Sequence, residues 1–413
     1  MIDRMGSQAR QAATVLATLT TSVKNRTLAT MAEELEQRVD EIMAANAEDM
    51  LDATAQGVGG ALLDRLALDP TRIAAIAAGL RKVAGLPDPV GSVTGGWTLA
   101  NGIRLKRMRV PLGVVAIIYE ARPNVTADAA GLCFKSGNAA LLRGSSYALR
   151  SNNAIAEALR VALESNGLPA DAIQLIQDVS REGATELMQA KQWVDLLVPR
   201  GGPGLISAIE DHATVPYVID GAGNCHVYVD ASADLVMAAN IAVNAKTHRP
   251  GVCNAAEKLV VHRDVAEQFL PIVADRLMSL GVELRGDLEA RAILPNIVPA
   301  TDDDWPTEYL DLIMAIRVVP SLDAAIDHVR ANSSGHTEAI VTGNLVAADR
   351  FVRETDSAVV MVNASTRFTD GEEFGFGAEI GISTQKMHVR GPMGLESLTT
   401  EKYVLHGEGQ IRS

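Results

Sequence analysis

Residues 112–119 (LGVVAIIY) carry no charge and no polar side chain before the closing tyrosine. A strand with one face in water alternates polar and apolar residues. A short run that is apolar throughout needs cover on both faces, which a parallel sheet flanked by helices supplies. This run opens a regular alternation. The pattern predicts a helix over 125–135, a strand over 139–142, a helix over 146–165, a strand over 172–176, a helix over 181–190 and a strand over 194–198. A second alternation has a strand over 225–229, a helix over 233–245, a strand over 258–262 and a helix over 265–280. It resumes with a helix over 322–332, a strand over 338–341, a helix over 346–355 and a strand over 358–363. Strands separated by helices indicate doubly wound parallel sheets. The expected fold is α/β: two doubly wound, Rossmann-like domains divided near Gly221 to Gly223.

A chain of 413 residues exceeds one ordinary core, so more than one domain is required. Residues 7–85 read as helices, with apolar positions three and four apart. A Gly/Pro-rich break at 86–91 leads into GSVTGGWTLANGIRLKRMRVPLG, short β-like pieces that suggest a ribbon. Aromatic residues are only 4% of a chain that is 47% hydrophobic, so Ala, Val, Leu and Ile must fill the cores.

The net charge of −14 argues against a nucleic-acid surface, although a local arginine cluster could still hold a phosphate. Three widely spaced cysteines, Cys133, Cys225 and Cys253, do not suggest a disulfide framework and fit a reducing, cytoplasmic setting. The eight histidines show no HExxH or CxxC pattern, so no metal site is expected. No apolar run reaches membrane-spanning length and no signal-peptide layout is visible, so no membrane association is expected.

Five segments could carry chemistry. In 244–258 (NAKTHRPGVCNAAEK), Cys253 follows a turn-prone Pro-Gly and three cationic residues, Lys246, His248 and Arg249. Cations, or a nearby helix start, favour the thiolate, which attacks activated carbonyls; the plainer reading is a small core residue. At the strand ends, where open α/β sheets bind ligands, YEARPNVT (119–126) places Asn124 at a helix start, either as a helix cap or as an amide donor to an oxyanion. LLRGSSYA (141–148) offers Arg143, Gly144, Ser145 and Ser146, a phosphate-friendly turn or a plain surface one. LVPRGGPGLI (197–206) offers Arg200, Gly201, Gly202, Pro203 and Gly204, whose glycines permit close backbone approach. Finally, 362–398 is rich in glycine beside Arg367, Glu379, Lys386, His388 and Arg390, as a loop against a polar ligand or an interface arm would be.

The segments YEARPNVT, NAKTHRPGVCNAAE, GNCHVYVD, NASTRFTDGEEFGFGAEIGIS and HVRGPMGLESLT resemble the signatures of the gamma-glutamyl phosphate reductases, within the aldehyde dehydrogenase superfamily, across nearly the whole chain. The resemblance implies NADPH-dependent reduction of L-glutamyl 5-phosphate to L-glutamate 5-semialdehyde with release of phosphate, the second step of proline biosynthesis from glutamate. It implies Cys253 as nucleophile and Asn124 as oxyanion donor. It places Arg143 beside the adenine ribose, where an arginine suits a 2′-phosphate, and the 200–204 turn beside the pyrophosphate. Glu308 matches the glutamate that holds the nicotinamide ribose. Oxidising relatives carry a water-activating glutamate in an ELGGK-type motif; here the matching region reads IDGAGNCH, without it.

The same resemblance implies an NADPH-binding domain over 1–93 and 110–222 and a catalytic domain over 223–390. It implies an oligomerisation ribbon and arm over 94–109 and 391–413, joining a homodimer or a dimer of dimers, with possible coupling to glutamate 5-kinase. For the substrate's charges the candidates are Glu379 for the ammonium and Arg122, Arg249 and Arg367 for the anionic groups.

Overall fold

All six residues of the strand Val114–Tyr119 are buried, as an apolar run between two helical layers must be. The computed structural model describes residues 1–412. Ser413, the end of the expected C-terminal arm, lies outside the described residues, as do the side chains of Ala61 and Pro203. The chain divides into two compact units, one of residues 1–219, 375–381 and 393–413, the other of residues 220–374 and 382–392.

In the first unit a four-stranded parallel sheet has the spatial order Ile173–Leu175, Ala139–Arg143, Val114–Tyr119, Leu196–Arg200. The chain winds outward from Val114–Tyr119 in one direction and then returns to its other side. The order therefore reverses between Val114–Tyr119 and Leu196–Arg200, which is where doubly wound sheets open a crevice. The last strand runs two residues beyond its expected end, so Arg200 pairs with Tyr119 at the rim of that crevice. Helices Ile2–Leu16, Thr21–Gln37, Val39–Ala55, Gly60–Leu66 and Pro70–Gly85 precede the sheet. Lys24, fully buried, reaches Asp88 at 2.9 Å and ties the Gly/Pro-rich break to the second of them.

The ribbon forms as expected, Val93–Thr98 against Arg104–Pro111, and the strand Thr399–His406 adds to it in full antiparallel register from Thr399↔Pro111 to His406↔Arg104. The pattern of 399–406 mixes Glu, Lys and Thr with apolar residues, and sequence alone did not mark it as a strand.

The second unit is built on a seven-stranded parallel sheet, in the order Val298–Pro299, Glu283–Gly286, Ile313–Val319, Ala256–His262, Cys225–Val229, Thr337–Val341, Val359–Val362. It too is doubly wound, with the reversal at Cys225–Val229. Sequence periodicity left 281–321 without elements, yet Ile313–Val319 is an inner strand there. The cause is Arg317, which breaks the apolar run. Its guanidinium lies over the Trp305 ring at 5.3 Å and meets His328 Nδ1 at 2.9 Å, so distant side chains satisfy the charge. No helix among the described residues is long and apolar enough to cross a membrane.

Candidate active site

Cys253 lies in a turn that leads into the strand Ala256–His262, at the amino edge of the second unit's sheet. No helix starts there, so the helix dipole suggested by the local sequence is not its activator. Asn254 anchors the turn: its Nδ2 donates to Thr369 O at 2.8 Å and its carbonyl accepts from Thr366 Oγ1 at 2.7 Å. Gly223 presses on the same turn. A Cβ there would fall 1.6 Å from the Cys253 carbonyl oxygen, so no larger residue fits. Glu308 fixes Gly223 in turn by accepting its N–H at 2.6 Å. The carboxylate expected at the nicotinamide ribose is thus engaged with backbone next to the cysteine.

Of the three thiols, Cys253 alone is partly exposed. Burial pushes Cys133 up to about 12. Burial also raises Cys225 well above the usual thiol range, aided by the Glu338 charge. Cys225 Sγ donates to Cys253 O at 3.1 Å and supports the turn rather than competing for its chemistry.

The cations sort differently from the sequence reading. Lys246 is fully buried and paired with Glu257 at 2.8 Å. His248 Nδ1 accepts from Arg367 Nε at 3.3 Å. Burial depresses the Arg367 pKa, and the Arg249 charge depresses it further, while Asp370, Cys253 and Cys225 pull the other way. Arg367, 118 positions from Arg249 by number, therefore lies within electrostatic reach of both Arg249 and Cys253. Lys386 and Arg390 both pair with Asp356 and hold the glycine-rich segment in place. Among residues 219–226 there is no glutamate; Asp220 Oδ1 accepts from Ile382 N at 2.9 Å.

In the first unit the strand ends converge on the crevice. Glu120 Oε1 accepts the Gly202 N–H at 2.8 Å, and a Cβ on Gly201 would meet the same oxygen at 2.9 Å. The glycines thus receive a carboxylate of their own chain at the start of helix Pro203–His212, whose N-cap is Gly202; Gly204 is open. Arg143 Nη2 donates to Val179 O and Ser180 O, while its buried Nε has no partner among the described residues. Ser145 Oγ accepts from Tyr147 N, Ser146 is exposed, and Gly144 packs against Asn152.

A cleft of about 70 Å³ in this unit is lined by Arg122, Asn124, Asp128, Arg200 and Glu379 over an apolar floor that includes Val125 and Ile380. Ile380 and Gly381 pair with Met393, which holds Glu379 at the rim. Asn124 is the first residue of helix Asn124–Lys135 and makes no capping bond, which removes the plain helix-cap reading. Its Nδ2 instead donates to Asp128 Oδ2 at 2.9 Å. Burial pushes the Asp128 carboxyl up to about 6, against the Asn124 hydrogen bond and the Arg200 charge. Two cations, two carboxylates and an amide in one small cleft can receive a zwitterionic group.

A profile of the aldehyde dehydrogenase family matches residues 1–291. The gamma-glutamyl phosphate reductase of Moorella thermoacetica is 56% identical over 411 residues, covering 100% of this chain and 98% of the relative. That of Thermobifida fusca is 54% identical with the same coverage. The chain belongs to the aldehyde dehydrogenase family, among its gamma-glutamyl phosphate reductases. The crystal structure of the Thermotoga maritima gamma-glutamyl phosphate reductase superposes with a TM-score of 0.98 at 50% identity over the whole of both chains. An acetylating aldehyde dehydrogenase from Geobacillus thermoglucosidasius, 18% identical, shares the fold at a TM-score of 0.70 over 100% of this chain.

Members of this oxidoreductase family use a nicotinamide cofactor. The first unit has features that suit one: a reversal point in the sheet, a glycine turn opening a helix there, and an arginine with an unpartnered buried Nε. Sequence reasoning missed Asp128, Glu120 and Gly223. Asp128 stands four residues after Asn124, a spacing that puts both on one helix face and could have drawn attention to it.

Proposed function

We propose that this chain reduces L-glutamyl 5-phosphate to L-glutamate 5-semialdehyde and inorganic phosphate with NADPH, the step that leads glutamate toward proline. The observation that carries this reading is a partly exposed Cys253 within electrostatic reach of Arg367, whose own neighbour is Arg249. A thiol that only oxidises aldehydes needs no such pair. An acyl phosphate brings a group that two guanidiniums suit, both before and after the C–O bond breaks.

The Cys253 thiolate adds to the acyl carbon, and the carbonyl electrons move onto oxygen. The Asn124 amide and the Cys253 backbone N–H are the donors for that oxyanion, each typically worth about 3 kcal/mol. The oxyanion collapses, the C–O bond to phosphate breaks, and phosphate leaves with the electron pair toward Arg249 and Arg367. When bound, NADPH supplies a hydride. The resulting alkoxide expels the Cys253 thiolate and releases the aldehyde. With no glutamate in 219–226 to activate water, the thioester waits for reduction rather than hydrolysis.

Arg143 would meet the 2′-phosphate of NADPH, Gly201, Gly202 and the helix start behind them the pyrophosphate, and Glu308 the nicotinamide ribose. Arg122 and Glu379 would take the carboxylate and ammonium of the substrate's amino-acid head. The experiment is the reverse reaction: NADP reduction by glutamate 5-semialdehyde with and without phosphate. Turnover should require phosphate strictly; full-rate turnover in its absence would sink the proposal.

A further inference from the structure

We infer that Asp128 is a positioning residue for this reaction, fixing the Asn124 amide so that an N–H and not the carbonyl faces the oxyanion. This rests on the oxyanion role proposed for Asn124. The geometry is local. Asn124 begins its helix directly after Pro123, and its side chain turns forward to Asp128, one turn on, instead of back to the backbone. The 2.9 Å bond is the single side-chain hydrogen bond of either residue among the described residues.

A terminal amide presents an oxygen on one side and NH2 on the other, and a half-turn exchanges them. Facing an oxyanion, the first is repulsive and the second stabilising. An ionised carboxylate only accepts hydrogen bonds. It therefore holds the NH2 side of Asn124, and the second N–H of that group remains for another acceptor. Both residues line the cleft, Asn124 exposed and Asp128 half-buried, so the second N–H belongs to the more accessible member of the pair.

An ordinary i,i+4 surface pair would not need this setting. Asp128 is half-buried in the cleft wall, and burial pushes its carboxyl up to about 6. The charged groups around it are Arg200 at the strand end and Arg122 and Glu379 on the adjoining loops, while helix Pro70–Gly85 faces it with the side-chain-free Gly79. Once protonated, Asp128 can donate to the Asn124 carbonyl, and the fixed orientation is lost.

The test is a double-mutant cycle on the whole enzyme, reading kcat and KM separately. Asn124→Ala should lower kcat by about 100-fold or more. Asp128→Ala should lower kcat by roughly 10-fold with KM within about 2-fold, and should cost nothing further in the Asn124→Ala background. If Asp128→Ala multiplies the Asn124→Ala loss by its full factor, or acts through KM alone, the inference is overturned. If Asn124→Ala keeps wild-type kcat, the oxyanion role itself fails. Asp128→Asn nearly preserves shape, so it covers the case in which alanine does not fold. Its amide, like the protonated acid, can donate to the Asn124 carbonyl, so kcat at pH 8 should already be near the wild type's value below pH 6, with no further fall as pH drops through 6; wild-type kcat at pH 8, or an unchanged profile, in Asp128→Asn overturns the inference.

Discussion

Replacing Gly223 by alanine tests how closely the cysteine turn is built. The added Cβ would lie 1.6 Å from the Cys253 carbonyl oxygen, 2.3 Å from its carbonyl carbon and 2.5 Å from its Cα. All three atoms are backbone, so no side chain can rotate away. A tolerable contact of 3.0 Å requires the turn to move by at least about 1.4 Å. The turn resists, since Asn254 is bonded to Thr369 and Thr366, and Gly223 itself to Glu308. Overpacking of this kind costs about 1–3 kcal/mol of stability. Misplacing a nucleophile by about 1 Å costs on the order of 100-fold in rate. Gly223 is not in a left-handed conformation, so the effect would come from the contact and not from backbone strain. The assay is Cys253 alkylation by iodoacetamide beside kcat, with denaturant unfolding on the same samples. Unchanged alkylation, kcat and stability in Gly223→Ala would refute the close-packing argument.

Further outcomes follow from other groups. Cys253→Ala should abolish reductase turnover, whereas Cys225→Ala should keep at least about a tenth of it because Cys225 only supports the turn; a dead Cys225→Ala with an active Cys253→Ala would reverse the assignment. Arg143→Ala should raise KM for NADPH by about 10-fold or more and leave NADH nearly unaffected, as measured by initial rates with each cofactor. Burial lowers His328 to about 3 and His336 to about 4, so the unfolded chain binds more protons than the native one below 6.5. Stability should therefore fall as pH drops from 6.5 through that range, and urea unfolding of His328→Gln should show a shallower fall. Asp128 has the opposite sign. Its raised pKa favours the fold at low pH and burdens it once pH exceeds 6, so Asp128→Asn should be more stable than the wild type at pH 8 and not at pH 4 in the same assay.

The backbone plan was largely legible because it depends on local patterns. Residues 114–119 could only be a strand with both faces covered, and the helix Leu322–Asn332 was readable from its repeat to the residue. Ile313–Val319 was not, because Arg317 is tolerated in an inner strand only by virtue of Trp305 and His328, which fold back from elsewhere. Thr399–His406 was not, because its partner is a ribbon some 290 residues earlier. In the site, Cys253 and the glycine turns announced themselves through residue type and spacing, while Arg249 beside Arg367, and Glu120 on Gly202, required the fold.

Sequence by itself determined which chemistry was present: a thiol in a tight turn, glycines at strand ends, arginines near both, and no water-activating glutamate in 219–226. Residue type and short-range spacing carry that information, since propensity and turn chemistry act over a few residues. Only the tertiary structure decided what each group does. Burial left one thiol of three open, spent Lys246 on Glu257, and gave Asn124 a carboxylate partner in place of a capping role. Desolvation and charge depend on what the chain brings alongside from far away, and no local pattern records them.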